Sequence, residues 1–111
     1  MARALTLEIV TPDGVALLES GVDVVVLRRQ EPRFAVGSEV AIYPGHAPLL
    51  LGLAAAPVRF AKAAESVEWT VAAGFAEVLH DRIVIVTPHC TPAAAPPRST
   101  ARQPLRLPGL G

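Results

Sequence analysis

Leu5, Leu7 and Ile9 alternate with Thr6 and Glu8, a period of two that predicts a half-buried strand over 5–10. Thr11-Pro12-Asp13-Gly14 is a turn with Pro at its second position and Gly at its fourth. Val15–Leu18 begins a second strand, and Glu19-Ser20-Gly21 reads as a further turn. Val22–Leu27 is rich in β-branched residues and becomes apolar on both faces, which predicts a strand covered on both sides. Arg28–Ser38, with Pro32 and Gly37, is polar and irregular and reads as a loop that Phe34 and Val36 pin to the body. Glu39–Tyr43 is a short strand leading into a bend.

The second half repeats the pattern. Leu49–Leu53 is apolar and expected in the core. Ala54–Pro57 is a turn, because Pro57 and the β-rich surroundings oppose a helix. Val58–Ala63 is a strand, Ala64–Ser66 a hairpin turn, and Val67, Trp69 and Val71 alternate with Glu68 and Thr70. Trp69 is assigned to the core. Gly74 breaks the run and allows the chain to bend or its backbone to pack closely. Phe75–Leu79, a tight His80-Asp81 turn and Arg82–Val86 complete the series. Ile83 and Ile85 face one way and Val84 and Val86 the other. Strands this short, with turns at this spacing, predict an all-β fold: a small sandwich or barrel.

The bend Tyr43-Pro44-Gly45-His46-Ala47-Pro48 joins the two halves. Two prolines fix φ, and Gly45 supplies a conformation other residues resist. His46 is its only ionisable side chain besides the Tyr43 phenol. Three readings of it stand: a ring nitrogen satisfying a turn carbonyl, a contact at a protein surface, or a catalytic base with Glu39 or Glu77 as its partner.

Composition divides the chain. Residues 1–87 carry seven Lys and Arg against ten Asp and Glu, and residues 88–111 carry Arg98, Arg102 and Arg106 with no acid. An acidic body argues against nucleic acid as a partner. From Pro88 onward six prolines interrupt the sequence, so 1–87 is expected to be the folded domain and 88–111 a Pro-rich, disordered tail. That tail is either a solubilising end or a weak contact to an anionic surface. Cys90 is the single cysteine, which excludes an intrachain disulfide and fits a reducing compartment. No leader peptide is expected, since Met1–Ala4 runs straight into the first strand. The longest apolar stretch is broken by proline and glycine, so any membrane link is expected only through partners. No phosphate loop, metal-ligand cluster or nucleophile–base pair is spaced for chemistry, so no catalytic residue, metal or cofactor is expected.

Ile42-Tyr43-Pro44-Gly45-His46-Ala47-Pro48-Leu49-Leu50 closely resembles the hallmark segment of the epsilon subunit of F-type ATP synthases, called delta in mitochondria. Leu7–Gly14 is similar to that family's first strand and turn, and Gly21–Leu27 to its third strand. Ala73–Val78, followed by Asp81–Val86, is similar to its Gly-Gly-Phe-x-Glu-Val segment. The resemblance covers residues 5–87. It implies a flattened sandwich of about ten strands that acts as a non-catalytic rotor subunit. Such a subunit packs on the gamma subunit, meets the c-ring of the membrane sector and acts only indirectly on the catalytic alpha/beta head. It would sit peripherally on the cytoplasmic face of a bacterial inner membrane.

Carried over residue by residue, the resemblance assigns the c-ring and gamma contacts to Glu39, Ile42, Tyr43, Pro44, Gly45 and His46. The two-sided last strand adds Val84, Ile85 and Val86 as gamma-packing candidates. The sequence departs from the family in four places. The 28–38 loop is longer than usual, Ala41 replaces a glycine, Ala54–Ala56 replace a Lys-Pro-Gly turn, and Ala73 replaces the first glycine of Gly-Gly-Phe. The usual helical pair with its ATP-binding motif is not present in 88–111, which implies coupling without the helical inhibitory switch. The alternative is a diverged sandwich that binds protein but joins no rotor.

Overall fold

The computed structural model describes residues 3–30 and 38–93. The described residues form ten strands and no helix. They are β1 (Leu5–Thr11), β2 (Gly14–Val22), β3 (Val24–Arg28), β4 (Glu39–Ile42), β5 (Leu49–Leu53), β6 (Ala56–Lys62), β7 (Glu65–Val71), β8 (Gly74–Leu79), β9 (Arg82–Val86) and β10 (Cys90–Pro92). One sheet has the order β2-β1-β9-β8-β5 and the other β10-β7-β6-β3-β4. All pairings are antiparallel except β1 with β9, which places the first strand beside the last long one.

The alternation read from the sequence builds the core. Leu5, Leu7 and Ile9 of β1 and Ile83 and Ile85 of β9 are fully buried and face Val25 and Leu27 of β3 and Val58 and Phe60 of β6 across the sandwich. Each such aliphatic side chain contributes about 1.5–3 kcal/mol by leaving water. Trp69 is half-buried and packs against this core from its rim.

The sheets are stitched at both sides. Asp23 N–H donates to the Ala61 carbonyl where β2 passes into β3. On the other side Gln30 N–H donates to Gly52 O and Ala54 N–H to Arg28 O, so the end of β3 also lies along β5. Thr87, buried although polar, turns the chain from the first sheet to the second. Its hydroxyl donates to Ala72 O at 2.9 Å and its N–H to Val10 O at 3.0 Å.

Several boundaries differ from the sequence reading. Glu19–Gly21 is not a turn: β2 continues through it as a bulge, with Gly21 at φ +72°, and a register shift against β1 absorbs the extra residue. Val22–Leu27 is not one strand. Val22 ends β2, Asp23 carries the chain across, and β3 belongs to the other sheet. The hairpin between β6 and β7 turns at Ala63-Ala64, both at positive φ, rather than at 64–66. Pro57 lies inside β6, where β3 reaches only as far as Arg59 and the strand is paired on one side alone. Past Val86 the chain adds a strand, β10, as an edge on β7, where Pro92 disturbs no second partner. Most of the expected 28–38 loop and of the expected tail lies outside the described residues.

Candidate protein-docking face

Cross-strand register fixes what the outward face of the first sheet presents, because directly paired residues share a face. One row across it reads Val15, Val10, Val86 and Phe75, and the next reads Leu18, Glu8, Val84, Glu77 and Leu50. A third runs from Thr6 through Arg82 to Leu79. Among the described residues eight large hydrophobic side chains are exposed, and six of them lie on this face. Leu50 is 71% and Phe75 63% exposed, where a monomer gains by burying both. The other two are elsewhere: Tyr43 on the bend and Val67 at the rim by the β6–β7 turn.

The outward face of the second sheet has a different chemistry. It carries Ala41, Val26, Arg59 and Glu68 in one row and Pro57 and Thr70 in another. Small side chains and charges dominate it. The molecule is thus a sandwich with one solvated face and one on which six exposed large hydrophobic side chains surround Glu8, Glu77 and Arg82, the pattern of a surface made to be covered.

The bend of 43–48 carries the chain from β4, at the edge of the second sheet, to β5, at the edge of the first. It is held from below by the β8–β9 turn. Asp81 Oδ1 accepts the Gly45 N–H at 2.7 Å, and Asp81 Oδ2 accepts from Arg3 Nη2 at 2.7 Å and Nε at 3.0 Å. The Gly45 N–H foremost, helped by the Arg3 guanidinium, holds the Asp81 carboxyl below the usual carboxylate range against the opposing effect of desolvation. Gly45 itself sits at φ +86°, with the Arg3 guanidinium packed against the place a Cβ would occupy. His46 is half-buried. Its Nδ1 lies 2.7 Å from the Ala47 carbonyl, and because a carbonyl only accepts, Nδ1 donates. The ring therefore satisfies a turn carbonyl, and among the described residues no carboxylate pairs with it.

The expected contact residues do not form one patch. Glu39 starts β4 and the bend follows its end, so the strand itself separates them by about 10 Å. Glu39 lies on the second sheet, where its Oε2 accepts from Arg59 at 3.1 Å and Arg28 at 3.4 Å. Tyr43, Pro44, Gly45 and His46 are at the surface at the other end. Two assignments are corrected outright. Ile42 and Ile85 are fully buried in the core, where they pair with Val25 and with Ile9 and Ala76, and neither side chain is available to a partner. Val84 and Val86 remain on the outward face, beside Glu77 and Phe75.

Sequence reasoning missed Val15, Leu18, Leu50, Phe75 and Leu79. They belong to three separate strands, β2, β5 and β8, and only register brings them together. Among the described residues no three His, Cys, Asp or Glu side chains are grouped to hold a metal ion.

Residues 4–93 match the family model described as the beta-sandwich domain of the ATP synthase Delta/Epsilon chain. The chain is 33% identical over 82 residues to the ATP synthase epsilon chain of Shouchella clausii (strain KSM-K16), covering 74% of this chain and 56% of that one. It is 34% identical over 86 residues to the ATP synthase epsilon chain of Magnetococcus marinus (strain ATCC BAA-1437 / JCM 17883 / MC-1), covering 78% and 58%. The chain thus spans a little over half the length of these curated relatives. Its fold is similar to a chain of the Euglena gracilis mitochondrial ATP synthase OSCP/F1/c-ring structure, with TM-score 0.71 at 21% identity over 83% of this chain and 55% of that one. It is also similar to a chain of the Tetrahymena thermophila mitochondrial ATP synthase central stalk and c-ring, with TM-score 0.62 at 14% identity over 79% and 66%. At those identities the likeness is one of fold.

Proposed function

The chain belongs to the ATP synthase delta/epsilon family through its β-sandwich domain, and on that premise we propose that it is a non-catalytic rotor subunit of the central stalk. The observation that carries this reading is the uncovered apolar face of the first sheet. A module that did its work alone would gain by covering or charging that face. A module built into a stalk needs it to pack against a larger neighbour.

In this reading Val15, Leu18, Leu50, Phe75, Val84 and Val86 pack on the gamma subunit. The bend runs directly into Leu49 and Leu50 of β5, so Tyr43 and His46 border the same contact. The opposite end of β4, with Glu39, meets the polar surface of the c-ring. The sandwich then ties shaft to ring, so that torque from ion flow reaches the alpha/beta head without any chemistry in this chain. Its place is the cytoplasmic face of a bacterial inner membrane, attached through partners. The sandwich, with β10 at Cys90–Pro92 as the edge of its second sheet, carries the coupling role.

The experiment is co-expression with the gamma subunit of the same source, tagged on gamma alone. A one-to-one complex that survives a sizing column is expected. Elution of this chain as a monomer beside free gamma would overturn the reading.

A further inference from the structure

Glu77 is out of keeping with its surroundings. On its own strand it stands between Phe75 and Leu79, and across strands it is paired with Val84 of β9 and Leu50 of β5. All of these share the outward apolar face. Arg82, the cation of that face, gives its guanidinium to Glu8. Glu77 has no hydrogen bond or ion pair among the described residues.

Two shallow depressions meet at this carboxylate. One, of about 350 Å³, lies between Glu77 and Val84, with Leu79 and Arg82 on its walls. The other, of about 250 Å³, lies between Glu77 and Leu50, with Pro48 and Leu79 beside it.

Water solvates Glu77 while the face is open. A purely apolar partner laid over it would remove that water and leave the charge uncompensated, which offsets the gain from covering Leu50 and Phe75. A second copy of this chain would bring only another apolar face whose free charge is also negative. A basic side chain resolves both difficulties.

We propose that the partner surface covering this face carries one lysine or arginine seated on Glu77. Its aliphatic stem lies in the β5–β8 depression along Pro48, Leu50 and Leu79, and its charged end meets the carboxylate. The β8–β9 depression is the poorer seat, because Arg82 already lines it. The inference rests on the gamma-docking reading and specifies its chemistry: an apolar contact with a single embedded cation that fixes register and excludes partners lacking it.

The test is calorimetric titration of the full chain into the gamma subunit of the same source, at low and moderate salt. Glu77→Gln is expected to weaken binding about tenfold and Glu77→Lys about a hundredfold. The Gln variant should also show a shallower salt dependence. Thermal melts of both free variants should stay close to the wild type, since the exposed carboxylate makes no hydrogen bond or ion pair among the described residues.

Glu77 variants that bind as wild type, while Leu50→Asp loses binding, would overturn this inference and leave gamma docking standing. Failure of the wild type to bind gamma would overturn both. Self-association of the free chain through this face would assign the carboxylate to a second copy. Tighter gamma binding on changing Arg98, Arg102 and Arg106 to Gln would assign it to the chain's own tail. Either result would overturn the proposal.

Discussion

Asp81 accepts the backbone N–H of Gly45 at 2.7 Å across 36 positions of sequence. The turn between β8 and β9 therefore holds the bend between β4 and β5 in place. The same carboxylate takes two N–H donors from Arg3, so the start of the chain, the bend and the turn form one ionic clasp at one end of the sandwich. The clasp meets the bend at Gly45, which sits at positive φ, and the chain runs on from there into Leu49 and Leu50 of β5.

The clasp makes stability depend on pH in a defined sense. The folded state holds the Asp81 carboxyl below its ordinary value, chiefly through the Gly45 N–H and then Arg3. The unfolded chain therefore binds the proton first. The contribution is complete above about pH 5 and is lost as pH falls through the ordinary carboxylate range toward the lowered folded value. Asn tolerates the left-handed backbone at 81, at φ +62°, and keeps an acceptor for Gly45 while removing the charge. Melting temperatures of wild type and Asp81→Asn should differ at pH 7 and converge toward pH 3. A difference that is constant across that range would contradict the clasp.

Gly74 is required by contact, not by flexibility. A Cβ there would lie 2.1 Å from the Val86 carbonyl oxygen, backbone that cannot turn aside. Gly74→Ala should destabilise the fold by about 2 kcal/mol or more, as overpacking does when no side chain can yield. Urea titration measures it, and an unchanged midpoint would show that β8 and β9 can separate here without loss.

The β6–β7 turn is under-optimised. Ala63 and Ala64 sit at φ +51° and +66°, conformations that cost about 1–2 kcal/mol each for a residue with a Cβ. Ala63→Asn with Ala64→Gly matches the two-residue turn and should raise stability by about 1 kcal/mol after the added freedom of the unfolded glycine. A urea midpoint that stays or falls would show that the turn is not strained.

The fold was legible where one face of a strand is apolar and the other polar. β1 and β7 announce themselves by alternation, and Gly74 by interrupting it. The contact residues were less legible. In Arg82–Val86 both faces are apolar, because β9 lies between β1 and β8 with one face in the core and the other on the exposed apolar side of the first sheet. Period alone therefore could not tell buried Ile85 from exposed Val86. Ile42 carried a usable signal, since it shares a face with Val40 and not with Glu39. β10 was hidden because three residues ending in proline carry no periodicity, and their strand is made by the free edge of β7. The exposed apolar face was hidden for the same kind of reason: Leu18, Leu50, Phe75 and Val86 become neighbours only through pairing between distant strands.

In the proposed rotor role the outward face of the first sheet, and not that of the second, is covered by gamma. That role is tested most directly by placing the same charge on each face in turn and measuring affinity for the gamma subunit. Phe75→Asp and Leu50→Asp lie on the first sheet, and Thr70→Asp lies on the outward face of the second. All three side chains are exposed, so each variant should fold. At least about a hundredfold loss is expected for Phe75→Asp and Leu50→Asp, as for central interface residues, and near wild-type affinity for Thr70→Asp. Loss of binding with Thr70→Asp, and retention with the other two, would contradict gamma docking on the first sheet.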